Sequence, residues 1–225
     1  MNLVIIGAGA VGNSLVERAL AGSHNVVMIE PDAEAAEQCA RQFDVRVLTM
    51  HVGDERFAEE SRLDHTEALI ATTADDSTNI MAMLLGQEAG VATLTSTVNQ
   101  NSHIDLFRRL GVRVLADPER LVAQHLLDIT LIPEASDVTT LRGGQQIVEL
   151  KLNGDSPLVG LTPANIRSQG LLDESLSMVA RVRGDSTHII PIDEPLAAGD
   201  GVIVFATERL RGRRRRIFRE STQGD

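Results

Sequence analysis

Tryptophan and tyrosine are absent from this 225-residue chain, and five phenylalanines carry all of its aromatic content. The usual stacking platforms for single-stranded nucleic acid are therefore missing. Cysteine occurs once, at Cys39, so no disulfide can close within the chain and a reduced compartment fits. Cys39 itself reads as a small apolar residue on a helix. No apolar run reaches the length of a membrane span, and the N-terminus reads as a strand rather than a signal peptide. The histidines (His24, His51, His65, His103, His125 and His188) are scattered without ligand-like spacing, so no metal site is expected. A net charge of −11 argues against general nucleic-acid binding. That charge is uneven, because Arg211, Arg213, Arg214, Arg215, Arg216 and Arg219 crowd into a basic tail. The tail suits anionic headgroups or an acidic partner, but a solvated, partly frayed end is the preferred reading.

The first thirty residues hold the strongest local signal. Asn2-Leu3-Val4-Ile5-Ile6 is an apolar run of strand length, and it leads straight into Gly7-Ala8-Gly9-Ala10-Val11-Gly12. An amphipathic helical stretch follows, then Val26-Val27-Met28-Ile29, which ends in Glu30. Strand, glycine turn, helix, strand and acid form a dinucleotide-binding fingerprint in its proper context. Gly7 permits the tight turn, Gly9 leaves room for a pyrophosphate, and Gly12 lets the helix lie close to the strand. The helix N-terminus offers N–H groups to the phosphates. Glu30 suits the ribose hydroxyls and disfavours a 2′-phosphate, so NAD is preferred over NADP.

Strand and helix signals go on alternating. Helices are expected at 33–42, 55–62, 77–90 and 104–110, and strands at 45–48, 68–72, 92–98 and 112–115. This predicts an α/β, Rossmann-type, doubly wound parallel sheet with ligands at the carboxyl ends of its strands. His51, Thr73 and Ala74 lie in loops at that edge. Asp75 and Asp76 stand there too, either holding a cation beside phosphates or capping the next helix. The cap is preferred, with Asp76 or Ser77 as N-cap and Asn79 just inside. Asp117-Pro118 opens a further helix to about Ile129, and Pro133 stops it. Strands then follow at 138–141, 146–152, 176–182, 188–192 and 202–206, with a short helix at 163–169, as a small, mostly antiparallel α+β unit.

These residues resemble the TrkA/KtrA-type subunits that regulate potassium transport, which join an RCK N-terminal Rossmann domain to a TrkA-C domain. The resemblance rests on the glycine turn, Glu30, Thr72-Thr73-Ala74-Asp75-Asp76 with Asn79, Leu110-Gly111-Val112 and Asp117-Pro118-Glu119. Further on it rests on Gly143-Gly144 with Ile147-Val148-Glu149-Leu150, on Pro157-Leu158-Val159-Gly160 and on Gly199-Asp200. It implies a Rossmann domain over 1–117, a crossover and dimerisation helix over 118–133, a TrkA-C domain over 134–210 and the basic tail over 211–225. It also implies binding of NAD(H) or ATP/ADP through Gly7, Ala8, Gly9, Ala10, Val11, Gly12, Glu30, His51, Thr73 and Ala74. By the same resemblance the chain is no enzyme. It forms homodimers that assemble into a ring, cytoplasmic and peripheral to the inner face of the membrane, on a membrane potassium transporter subunit. Two positions depart from the family. Met50-His51-Val52-Gly53 replaces a glycine- and serine-containing loop near the adenine, and Thr97 stands where an arginine often reaches the ligand. Ala10 puts no basic side chain in the turn, which tilts the ligand towards NAD or a nucleoside diphosphate.

An NAD-dependent oxidoreductase and a stand-alone nucleotide sensor are the alternatives. A dehydrogenase needs a positioned proton donor or acceptor. Of the histidines, His51 is expected at the adenine end, His65 at the opposite edge, and His103 on the surface.

Overall fold

The structure, a computed structural model, describes residues 1–141, 143–184, 186–190, 193–210 and 217–218, which form two compact units, Met1–Arg120 and Leu121–Asp225.

In the first unit the strands are β1 (Asn2–Ile6), β2 (Asn25–Ile29), β3 (Arg46–Leu48), β4 (Ala68–Ala71), β5 (Thr93–Val98) and β6 (Arg113–Ala116). The helices between them are α1 (Ala10–Ala21), α2 (Ala33–Gln42), α3 (Phe57–Glu60), α4 (Asp76–Glu88) and α5 (Ile104–Arg109). The strands lie in the order β3-β2-β1-β4-β5-β6 and every neighbouring pair is parallel. Side chains alternate across a strand, so β1 feeds two cores. Leu3 and Ile5 join Val16, Met28 and Cys39 on one face, while Val4 and Ile6 join Leu69, Met83, Val98 and Phe107 on the other. Burial, then the charge of Glu30, push the Cys39 thiol up, so it remains a neutral packing group. Asp32 caps α2 by accepting from Ala35 N at 2.8 Å. The helix expected over 55–62 is only one turn, and a 3-10 turn at Leu63–His65 follows it, because Arg62 takes a left-handed conformation (φ 55°) that an α-helix cannot continue through.

Helix α6 (Pro118–Leu131) crosses from the first unit into the second, at Arg120 and Leu121. From Leu121 onward it packs as part of the second unit. Asp128, almost fully buried, accepts from Gln124 Nε2 at 2.9 Å and from Thr140 Oγ1 at 2.7 Å. His125 Nδ1 lies 3.1 Å from the Val138 carbonyl oxygen. The sheet there contains β7 (Ala135–Thr140), β8 (Gln146–Lys151), β9 (Leu176–Arg183), β10 (Ser186–Ile189) and β11 (Gly201–Ala206), with α7 (Pro163–Ser168) between β8 and β9. Its order is β10-β9-β11-β8-β7, antiparallel throughout. Val138, Val148, Leu150, Val202 and Val204 line its inner face.

The six tail arginines lie outside the described residues. Ile217 and Phe218 do not. Phe218 is fully buried in the second core, and Ser156 Oγ donates to the Ile217 carbonyl at 2.8 Å. The expectation of a solvated end therefore fails at this apolar pair, whose burial offsets the cost of ordering it.

Asp200 pins the second unit. It is 2% exposed, and Arg183 grips it with Nε at 2.8 Å and Nη2 at 2.9 Å while Ala197 N donates at 2.9 Å. The Arg183 hydrogen bonds outweigh burial and hold its carboxyl below the ordinary carboxylate range. A carboxylate whose pKa is depressed by folding contributes stability that is complete above its unfolded value, about 3.9, and is lost as pH falls through the folded value. Asp200→Asn is therefore expected to be less stable than the unsubstituted chain at pH 7, with the gap narrowing towards pH 3. Chemical denaturation across that range checks it, and a gap independent of pH would show that the charge contributes nothing.

Candidate functional site

The carboxyl ends of β1 and β4 flank the point where strand order reverses, and there the glycine turn leaves the sheet. Gly7 has φ +98°, a conformation that favours glycine, and a Cβ on it would crowd Thr72 and Thr73 at 3.2–3.3 Å. Gly12 has no choice of side chain either, since a Cβ there would stand 1.8 Å from the Gly7 carbonyl oxygen. Gly9 differs: a Cβ would meet nothing within 4 Å, so this residue faces open space. It is also the N-cap of α1, and no side chain caps that helix end. The N–H groups of Ala10, Val11 and Gly12 thus lack intrahelical acceptors and carry the positive end of the helix dipole. Just inside, Asn13 Nδ2 donates to the Ala8 carbonyl at 2.8 Å, while the buried Asn13 Oδ1 has no partner among the described residues.

Glu30 follows β2 and turns back onto the turn. One carboxylate oxygen accepts from Ala8 N at 2.8 Å and the other from Asp32 N at 2.9 Å. Each oxygen keeps a further lone pair for a sugar hydroxyl. The Ala8 N–H is therefore committed to Glu30, and the donors left for phosphates are those of the α1 terminus. His51 sits beyond β3, the strand beside β2, with an exposed side chain and its backbone N–H on Asp54 Oδ2 at 2.8 Å. These contacts fit a nucleotide with its ribose at Glu30 and its phosphates at α1.

The other side of the switch point is a polar network. Thr73 Oγ1 donates to Asn79 Oδ1 at 2.7 Å, and Asn79 Nδ2 donates to the Thr73 carbonyl at 3.0 Å and the Thr97 carbonyl at 3.3 Å. Ala74 is exposed in the same loop. Thr97 is buried, with its hydroxyl 3.5 Å from the Ala71 carbonyl, so this position presents no long side chain to a ligand. The expected N-cap moves by one residue. Asp75 caps α4 by accepting from Ser77 N at 3.2 Å and Thr78 N at 2.9 Å. Among the described residues no cluster of three metal-ligating side chains occurs.

Asp76 is freed for another task. It is 7% exposed and accepts from Asn99 N at 2.9 Å, Asn99 Nδ2 at 2.9 Å, Gln100 N at 3.0 Å and His103 Nδ1 at 2.8 Å. Burial opposes its charge, but the donors from Asn99, His103 and Gln100 together hold its carboxyl below the ordinary range. His103 is therefore no plain surface residue but one held by a buried carboxylate. Sequence reasoning missed the pair because its members lie 27 positions apart and on different elements.

Substitutions in the turn separate close packing from open space. Gly12→Ala is expected to destabilise by about 1–3 kcal/mol, the scale of forced overpacking. Gly9→Ala should stay within about 0.5 kcal/mol of the parent. Thermal unfolding of the two variants checks this, and equal losses would contradict the turn geometry.

A family model described as the TrkA-N domain matches residues 3–118. Over 93% of its length the chain is 28% identical to the Trk system potassium uptake protein TrkA of Halomonas elongata, of which it spans 46%, about half. It is 26% identical, over 92% of its length, to the Trk system potassium uptake protein TrkA of Mycobacterium tuberculosis, of which it spans 93%. The solved GsuK channel bound to NAD shares the fold, with a TM-score of 0.61 and 18% identity over 100% of this chain and 40% of that one. With a matching model over more than half of its residues, the chain belongs to the TrkA-N domain family.

Proposed function

We propose that this chain is a nucleotide-binding regulatory subunit of a Trk/Ktr-type potassium uptake system, and not an enzyme. NAD(H) is the preferred ligand and ATP or ADP the second choice. The observation that carries the proposal is the uncapped α1 N-terminus beside an open Gly9, with Glu30 fixed across from it. That arrangement binds a pyrophosphate and a ribose, and it leaves no basic side chain in the turn for a terminal phosphate. The names of the relatives supply potassium uptake as the process. On this reading Gly7 to Gly12, Glu30, His51, Thr73 and Ala74 line the nucleotide site, and the second unit is a TrkA-C domain. The protein works at the cytoplasmic face of a membrane transporter subunit. No described helix is long and apolar enough to cross a membrane.

Gly9→Asp tests the site directly. An aspartate at the N-cap accepts from the first-turn N–H groups and so supports the helix, while its charge and bulk fill the phosphate position. The fold should persist, and affinity for NADH and ADP should fall at least about tenfold, or 1.4 kcal/mol. Unchanged affinities by calorimetry would refute the assigned site.

Assembly follows from α6. Leu121, Val122, Leu126, Leu127 and Leu131 are each about half or more exposed, which is more apolar surface on one helix than a monomer ordinarily leaves. Ile129, by contrast, packs against the second core. The exposed residues are proposed as the homodimer contact from which a ring is built. Leu126→Asp combined with Leu127→Asp should give monomers that still bind nucleotide but no longer alter potassium flux. Light scattering, then potassium uptake with the transporter present, decides it. A monomeric parent protein, or a monomeric variant that still regulates, would overturn the assembly reading. Co-purification with a transporter separates this function from that of a stand-alone sensor.

A further inference from the structure

The Asp76–His103 pair stands on the side of the switch point that the adenosine half of a nucleotide does not use. Adenosine belongs with Glu30 at the end of β2, and phosphates with the α1 terminus at the end of β1. His103 follows the end of β5, two strands beyond β1, hence about 10 Å across the sheet. A dinucleotide lies across the crevice at the reversal of strand order, with one nucleoside on each side. A nucleoside diphosphate ends near the glycine turn.

The chemistry of His103 is fixed by its neighbour. An ionised carboxylate only accepts, so Nδ1 carries the proton in the bond to Asp76. Nε2 has no partner among the described residues, and the side chain is 39% exposed. In the neutral ring Nε2 accepts, and in the protonated ring it donates. A sugar hydroxyl satisfies either state because it does both. Asp76 is itself immobilised by Asn99 and Gln100, so the ring is presented with little freedom to lose.

We infer that His103, positioned by Asp76, binds the ribose of the second nucleoside of a dinucleotide and so makes the site select dinucleotides over mononucleotides. The inference rests on the nucleotide-binding reading above and adds to it a residue that distinguishes NAD(H) from ADP. Asn99, whose Nδ2 lies 3.2 Å from the Thr73 carbonyl, ties the pair back to the loop beside Gly7.

The test is calorimetry of NADH, NAD, ADP and AMP on the full chain and on His103→Ala. NADH and NAD should weaken about three- to tenfold, the worth of one hydrogen bond, while ADP and AMP change less than twofold. Equal weakening of all four ligands, or no change in any, overturns the inference. Nitrogen-15 NMR of the unsubstituted protein gives a readout that does not depend on the variant folding. The Nε2 resonance of His103 should move on adding NADH and stay put with ADP, and a resonance indifferent to NADH overturns the inference as well. If the unsubstituted chain binds none of the four, the nucleotide reading falls and takes this one with it. If it binds ADP and NADH but His103 is indifferent, only the role of His103 falls.

Discussion

The first unit is built around the approach of one helix to one carbonyl. Helix α1 passes so near the end of β1 that even a single added carbon on Gly12 would stand 1.8 Å from the Gly7 oxygen. This closeness aims the α1 terminus at the gap between β1 and β4, and it brings Val16 onto the sheet beside Ile5 and Met28. It also carries the Ala8 N–H to the Glu30 carboxylate, so the acid at the end of β2 both shapes the turn and lines the site. A looser approach would spoil packing, helix direction and acid placement together.

Most of this was legible in the sequence because each part has a local cause. The order of strands and helices followed from apolar runs alternating with helical spacing, and the helix expected at 33–42 has those bounds. The three glycines were each given the part that the geometry shows, since a turn, an open approach and a close packing demand glycine for different reasons. Errors arose where a left-handed residue, which leaves no periodic trace, breaks a helix, as at Arg62. They also arose where two acids in succession compete for one cap. Asp75 and Asp76 have the same chemistry, and only the position of Asn99 and Gln100 decides which one caps and which one is buried.

That division of labour explains why the Asp76–His103 contact was hidden. Glu30 and the glycines lie within one strand–helix–strand unit, so spacing along the chain reports spacing in the fold. Thr73, Asp76 and Asn79 come from the stretch after β4, and Asn99 and His103 from the one after β5, joined only because those strands are neighbours. The tail errs for the converse reason. Its arginines dominate the composition, yet at its described residues, Ile217 and Phe218, an apolar side chain enters a core.

The same network bears on how binding can reach assembly under the proposed function. The end of β5 is gripped from two directions. Asn99 N donates to Asp76, while the neighbouring Val98 carbonyl accepts from Asp117 N at 3.0 Å. Asp117 has φ 51°, a left-handed conformation that aspartate tolerates better than most residues, and its Oδ1 accepts from Arg120 N at 3.1 Å at the root of α6. The first turn of the exposed apolar helix is thus fastened to the strand end that carries His103. A ligand bound across the switch point biases this root only by favouring one geometry of the strand end over another. A dinucleotide touching His103 would have that differential contact, and a mononucleotide held at Glu30 and α1 would not.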